Sequence, residues 1–210
     1  MSRAHASFLW RRFKRDERGV ASIEGIILIP LLFWAFIGTF VIFHAFKTQT
    51  EGLRATYAIA DAISREDGEV DSTYFNSIYD LAKFMTDGAP GLAQRYTIVC
   101  QSPKEADKLR VAWSIVRFPP QPANQPLPPE FVPLNSTSIN TEKDRLPTIP
   151  VGDQLILVET FLPFTPVWSF NPVWENAISA QTFDYFIFTR PRFTSQLKFK
   201  GQPNWVCPNF

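Results

Sequence analysis

Between Gly25 and Phe46 the chain runs for 22 residues without an Asp, Glu, Lys or Arg. As a helix rising 1.5 Å per residue, such a run spans about 30 Å, the thickness of a bilayer's hydrocarbon core. Lipid offers no hydrogen bonds, so a lone spanning segment must be helical to satisfy its own backbone. Arg11, Arg12, Lys14, Arg15 and Arg18 precede the run, while Lys47, Glu51 and Arg54 follow it in mixed sign. The positive-inside rule then keeps the N-terminus cytoplasmic and sends the remainder across. The run is too long for a secretory h-region of about 7–15 residues, and Phe46-Lys47-Thr48-Gln49 has no small-x-small cleavage site, so it reads as a retained anchor. Pro30 removes one backbone donor, which membrane helices tolerate.

Three regions follow: a basic cytoplasmic leader over 1–19, a transmembrane helix over 20–46, and an extracytoplasmic α+β domain over 47–210. Charge is segregated along the same line. Six Arg/Lys against two acids leave residues 1–18 at +4 and the rest at −3, within a total of +1. The basic cluster is short and abuts the apolar run, which suits a membrane flank and argues against nucleic-acid binding. Twenty Phe and six Trp among 210 residues are too many aromatics for a disordered chain.

Beyond Lys47 the helix is expected to continue, with Leu53, Tyr57, Ala60 and Ile63 or Ser64 on one apolar face, until Glu66-Asp67-Gly68-Glu69 ends it. Asp71-Ser72 is placed to cap a second helix, whose Phe75, Ile78, Leu81, Ala82 and Met85 form a stripe. Strands are expected near 95–101, 108–117, 153–162 and 182–190, the first two joined by a polar turn around Ser102-Pro103-Lys104 as an antiparallel hairpin. The expected fold is therefore α+β: an N-terminal transmembrane helix continuing into a helix packed on an antiparallel sheet of about four strands. Residues 118–150 hold nine prolines, including Pro119-Pro120 and Pro128-Pro129, and read as an extended insertion: a surface loop, or a polyproline contact for a partner.

The chemistry-bearing residues are few. The only histidines are His5, in the leader, and His44, at the far end of the span, so the exported domain lacks Ser-His-Asp, Cys-His and histidine-metal sites. The nine glycines are scattered and form no phosphate-cradling loop. Asp153, Glu159 and Glu175 are conceivable acid/base carboxylates but read as solvated loop and strand residues. No enzyme, metal or cofactor is expected. Cys100 and Cys207 both fall on the exported side, where an oxidising compartment favours a disulfide over two unpaired thiols.

Glu24 is the outlier, a carboxylate opening an apolar helix, where it costs free energy unless paired or held at the interface. One reading keeps it at headgroup depth, favoured by the helix dipole and without further role. The other begins from the layout of a basic leader ending in Gly19, an apolar helix, and Glu24 at the fifth position after the glycine. That layout resembles the class III signal of type IV pilins and their relatives. The wider stretch Glu17-Arg18-Gly19-Val20-Ala21-Ser22-Ile23-Glu24, then Leu28-Ile29-Pro30-Leu31-Leu32, resembles the N-terminal signature of the TadE-like minor pseudopilins of Tad (Flp) tight-adherence pili. Gly25 stands where that family usually has Phe or Tyr. Weaker echoes are Trp113-Ser114, Val158-Glu159 with Phe161, Phe164-Thr165-Pro166, and Thr189-Arg190-Pro191-Arg192.

The resemblance implies that a prepilin peptidase cuts after Gly19, leaving Val20 as the new N-terminus. It also implies that Glu24 pairs with the freed amine of a neighbouring subunit. Implied partners are that peptidase, pilin and pseudopilin subunits, and an inner-membrane pilus assembly platform; the implied role is a minor pseudopilin or assembly factor in adhesion and biofilm. The inner (plasma) membrane would hold the helix, with the C-terminal domain periplasmic. The competing expectation is an uncleaved, single-pass, membrane-anchored periplasmic binding or accessory protein unrelated to pili.

Overall fold

A computed structural model describes residues 20–101, 108–120, 132–166 and 180–201, with no side chains described for 20–22. The chain divides into two compact units, Met1–His44 and Ala45–Phe210. One α-helix, α1 (Val20–Ser64), contributes to both, and it stays helical through Pro30. Within the first unit Ile26, Ile27, Ile29, Leu31, Leu32, Phe33 and Phe36 are all exposed. Consecutive exposed apolar residues cover every side of the helix, a distribution stable in lipid and costly in water. Among the described residues this is the one helix long and apolar enough to cross a membrane.

The second unit orders the C-terminal part of α1, β1 (Glu69–Val70), α2 (Ser72–Met85), β2 (Ala93–Gln101), β3 (Leu109–Arg117), a short α3 (Ser138–Thr141), a 3₁₀ turn (Lys143–Arg145), β4 (Gln154–Phe164), β5 (Gln181–Thr189) and β6 (Lys198–Phe199). Four strands form an antiparallel sheet in the order β3-β2-β4-β5, and β1 pairs with β6 in parallel. The expected α+β class and four-stranded sheet are thus present, with strand limits shifted by one or two residues. The turn expected at 102–104 lies outside the described residues, although β2 and β3 are antiparallel neighbours.

The helical layer covers one sheet face. Asp71 caps α2 by accepting from the Tyr74 amide, as its place before Ser72 predicts. Phe75, Ile78 and Ala82 enter the core, while Leu81 of the expected stripe stays exposed. Phe75 packs edge-on against Trp113 and within ring contact of Tyr96 and Phe199. The Trp113 indole donates to the Leu197 carbonyl, tying the segment before β6 to the core.

The packing face of α1 is the expected one only in part: Ala60, Ile63 and Ser64 are on it, Leu53 and Tyr57 are not. Gly52, Ala55, Thr56, Ile59, Ala60, Ile63 and Ser64 are buried, whereas Leu53 and Tyr57 are exposed. The reason is distance: a Cβ on Gly52 would stand 2.6 Å from Tyr185 Cε2 and 2.8 Å from Leu162 Cδ2. At Gly52 only glycine permits this approach, so Leu53 and Tyr57 beside it turn outward, while Ile59 and Ile63 further along the face enter the core. Tyr185 closes the contact by donating its hydroxyl to the Gln49 carbonyl at 2.9 Å.

The Pro-rich insertion also departs from expectation. Its prolines cluster before Pro133 and at Pro147 and Pro150, leaving 134–146 free of them. That interval forms α3 and the 3₁₀ turn and lies on the opposite sheet face, where Ile139 and Ile149 join Val99, Leu109, Leu155 and Leu157 in a second core. A bulge at Ala112 serves both cores: Trp113 pairs with Ile98 and faces the helices, while Val111 pairs with Val99 and packs with the insertion. β2 and β4 are consequently buried on both faces.

Gly52→Ala should destabilise the protein. The helix-propensity gain of about 1 kcal/mol is outweighed by overpacking of about 1–3 kcal/mol against Tyr185 and Leu162. Gly68→Ala, where nothing lies within 4 Å of the added carbon, should be neutral or slightly stabilising. Urea unfolding of the detergent-solubilised protein separates the two, and equal behaviour would refute the close approach.

Candidate functional site

The residues singled out at the N-terminal end are Gly19, Val20 and Glu24. Gly19 lies outside the described residues, Val20 is helical in α1, and Glu24 sits on the same helix with its side chain exposed. Its helical neighbours Ile23, Ile27 and Leu28 are exposed as well. A single carboxylate thus stands in an apolar surface, and the chemistry it offers is acceptance of a cation or of hydrogen-bond donors from outside the chain.

Cys100, near the end of β2, is fully buried and is not a free thiol. Cys207, its expected partner, lies outside the described residues. A complete Cys100–Cys207 bridge is therefore not part of the described structure.

The most concentrated polar chemistry lies inside the domain, on the sheet face covered by the insertion. Arg95 on β2 and Glu159 on β4 are direct cross-strand partners. Arg95 Nε donates to Glu159 Oε2 and Nη2 to Oε1, both at 2.6 Å, while Nη1 donates to the Val132 carbonyl at 3.1 Å. The side chains are 10% and 4% exposed, so the pair is a buried, bidentate one. Phe161, one pleat along β4 on the same face, places its ring 5.4 Å from the guanidinium carbon. Thr97 and Ser114 share a hydrogen bond nearby, and the Ser114 hydroxyl also accepts from the Leu134 amide. Two strand side chains thereby hold the backbone of the insertion.

Burial pushes the Glu159 carboxyl above the usual carboxylate range; the Arg95 hydrogen bonds and charge oppose this without cancelling it. Asp184 on β5 is raised in the same direction by burial, countered by Arg145. Arg145 lies over the Phe186 ring at 4.0 Å and within 3.7 Å of Asp184.

Glu159 is thus not the solvated strand residue that its type suggests. Its solvation is replaced by the Arg95 fork, because the insertion covers this face. Both carboxylate oxygens already accept from the guanidinium, which makes the pair a clamp rather than a proton-transfer site. Asp153 is about half exposed and pairs with Arg190 at 3.2 Å, and Glu175 lies outside the described residues. The structure does not bring these carboxylates together as described residues, and among those residues no group of three His, Cys, Asp or Glu is placed to hold a metal. Arg95 went unnoticed in the sequence because nothing local marks it; only the β2–β4 register sets it opposite Glu159.

Glu159→Gln should cost about 3–5 kcal/mol near neutral pH by leaving the buried guanidinium without its counter-charge. A carboxyl with a raised folded-state pKa contributes stability that is present below its unfolded pKa and lost as pH rises through the folded value. The native protein should therefore gain on Glu159→Gln as pH falls from about 7 to about 4. Denaturant titrations across that range check the sign, and a gap that narrows on acidification would show the ion pair outweighing burial.

Compared with protein-family models, curated proteins and solved structures, the chain matches none. One expectation is corrected accordingly: no family model places the chain among the TadE-like pilus proteins. What stands is a single-pass membrane-anchored protein carrying an α+β domain, in a helix-on-antiparallel-sheet arrangement of generic pilin-like kind.

Proposed function

We propose that this protein is a membrane-anchored accessory or binding protein, non-catalytic, whose domain works on the extracytoplasmic side. The observation that carries this reading is α1 itself. Its apolar part is exposed on every side from Ile26 to Phe36, while its C-terminal part is packed closely at Gly52 against the sheet, so anchor and domain share one unbroken element. Orientation rests on the basic residues before the span and the mixed charges after it. The domain's buried ion pair, Arg95 and Glu159, is satisfied internally and supports structure, which favours binding over catalysis.

The protein should stay with membranes after alkaline carbonate extraction, and in spheroplasts protease added outside should digest the domain. Release by carbonate would refute the anchor, and a protected domain would refute the orientation.

A pilin-type subunit is the second reading, favoured by the same helix-on-sheet arrangement and by the exposed Glu24 on an apolar helix after Gly19. In it a prepilin peptidase cuts after Gly19, and Glu24 meets the new amine of a neighbouring pilin-like subunit, with an assembly platform in the inner membrane as a further partner. N-terminal sequencing of protein from native membranes should then begin at Val20, and Glu24→Ala should leave membrane insertion intact while abolishing co-purification with pilin-like subunits. An N-terminus at Met1 or Ser2 would return the protein to the first reading.

A further inference from the structure

Phe84, in the last turn of α2, is 83% exposed, more than Phe36 within the apolar run at 69%. Leu81 and Lys83 beside it are exposed as well. An aromatic ring so open to water on the packed domain needs an explanation, and its position supplies one.

Lys47 is the first charged residue after the apolar run, so it marks the level at which hydrocarbon gives way to headgroups. Its Nζ lies 3.8 Å from Asp87 Oδ2. Asp87 belongs to the turn that ends α2, where its amide donates to the Phe84 carbonyl and the Gly88 amide to that of Lys83. Both residues take positive φ, 57° and 71°, which reverses the chain at this point. The C-terminal turn of α2 is thereby held at the depth of Lys47. At the other end of the packed helix, the Arg192 amide donates to the Ser64 carbonyl, 17 residues beyond Lys47 and about 26 Å along the axis. Phe193, also exposed, sits there.

We infer that the C-terminal turn of α2 is a second contact with the bilayer: the Phe84 ring enters the boundary between headgroups and acyl chains, with Leu81 at its side and Lys83 among the phosphates. The occupant is lipid because the patch lies level with the point where α1 leaves the hydrocarbon. It is also small, one ring and one leucine, against the roughly 800 Å² per partner of a stable protein interface. An aromatic flanked by a lysine is the composition that lies in a membrane interface, the ring apolar and the ammonium reaching outward. This inference rests on the membrane-anchoring reading.

The test places the photoreactive residue p-benzoylphenylalanine at 84, 36 or 193 of the full chain, reconstituted in phosphatidylethanolamine–phosphatidylglycerol vesicles, and reads phospholipid adducts by intact mass after irradiation. Position 36 reports the anchor alone, and position 193 is an exposed phenylalanine remote from Lys47. The expected result is lipid adduct at 84 approaching that at 36 and several-fold above that at 193. Adduct at 36 with 84 no higher than 193 overturns the contact and leaves the anchor standing. Absence of adduct at 36 overturns the anchor and the contact with it. Cross-linked dimer at 84 in place of lipid adduct overturns the lipid contact in favour of a second copy of the chain.

Discussion

The close approach of α1 to the sheet is the constraint on which the domain depends. Gly52 leaves no room between the helix backbone and the side chains of Tyr185 and Leu162, and Ala55, Thr56, Ala60 and Ser64 continue the narrow face. Tyr185 uses its ring to fill the contact and its hydroxyl to hold the Gln49 carbonyl. Burial holds that hydroxyl as a phenol, its pKa pushed up to about 12. A larger residue on this face would move the helix, and with it Ile59 and Ile63, which share a core with Phe75, Tyr96 and Ile156. The same contact couples function to fold, because the helix that packs here is the one whose apolar stretch is suited to lipid.

The sheet is covered on both faces, and the two covers are held differently. The helical side relies on apolar packing, with Phe75 at the centre of an aromatic group. The insertion side combines a smaller core around Ile139 and Ile149 with polar ties from the sheet to the insertion's backbone: Arg95 to Val132, Ser114 to Leu134, and the Asn140 side chain to both backbone groups of Leu109. Such ties suit a segment whose prolines limit its own hydrogen bonding, since backbone groups without regular structure need side-chain partners when they are buried. The Arg95–Glu159 pair is best understood in this setting. It charges the sheet face with a group able to grip a carbonyl, and its own desolvation is offset in part by two short hydrogen bonds.

For function, the arrangement divides labour between surfaces. The buried Arg95–Glu159 pair helps hold the insertion, and most of the exposed large apolar residues among those described lie on the α1 segment suited to lipid, with Phe84 on the end of α2 the most exposed of all. Such a protein acts through what it touches. Both proposed readings share that basis and differ in what α1 meets within the membrane.

The membrane segment, the α+β class, the cap at Asp71 and the four strands were legible in the sequence, because each follows from local composition or periodicity that neighbours in space do not alter. A charge-free run of 22 residues admits few alternatives, and a proline-dense stretch cannot form a central strand. Tertiary structure alone decided the rest. Hydropathy placed Leu53, Tyr57, Ala60 and Ile63 or Ser64 on the packing face of α1; the last three are buried there, but the close approach at Gly52 turned Leu53 and Tyr57 outward, a matter of volume and not of polarity. Composition made the insertion a surface loop, but the open sheet face gave its proline-free half something to cover. Glu159 looked solvated until strand register, which no single segment encodes, set Arg95 across from it.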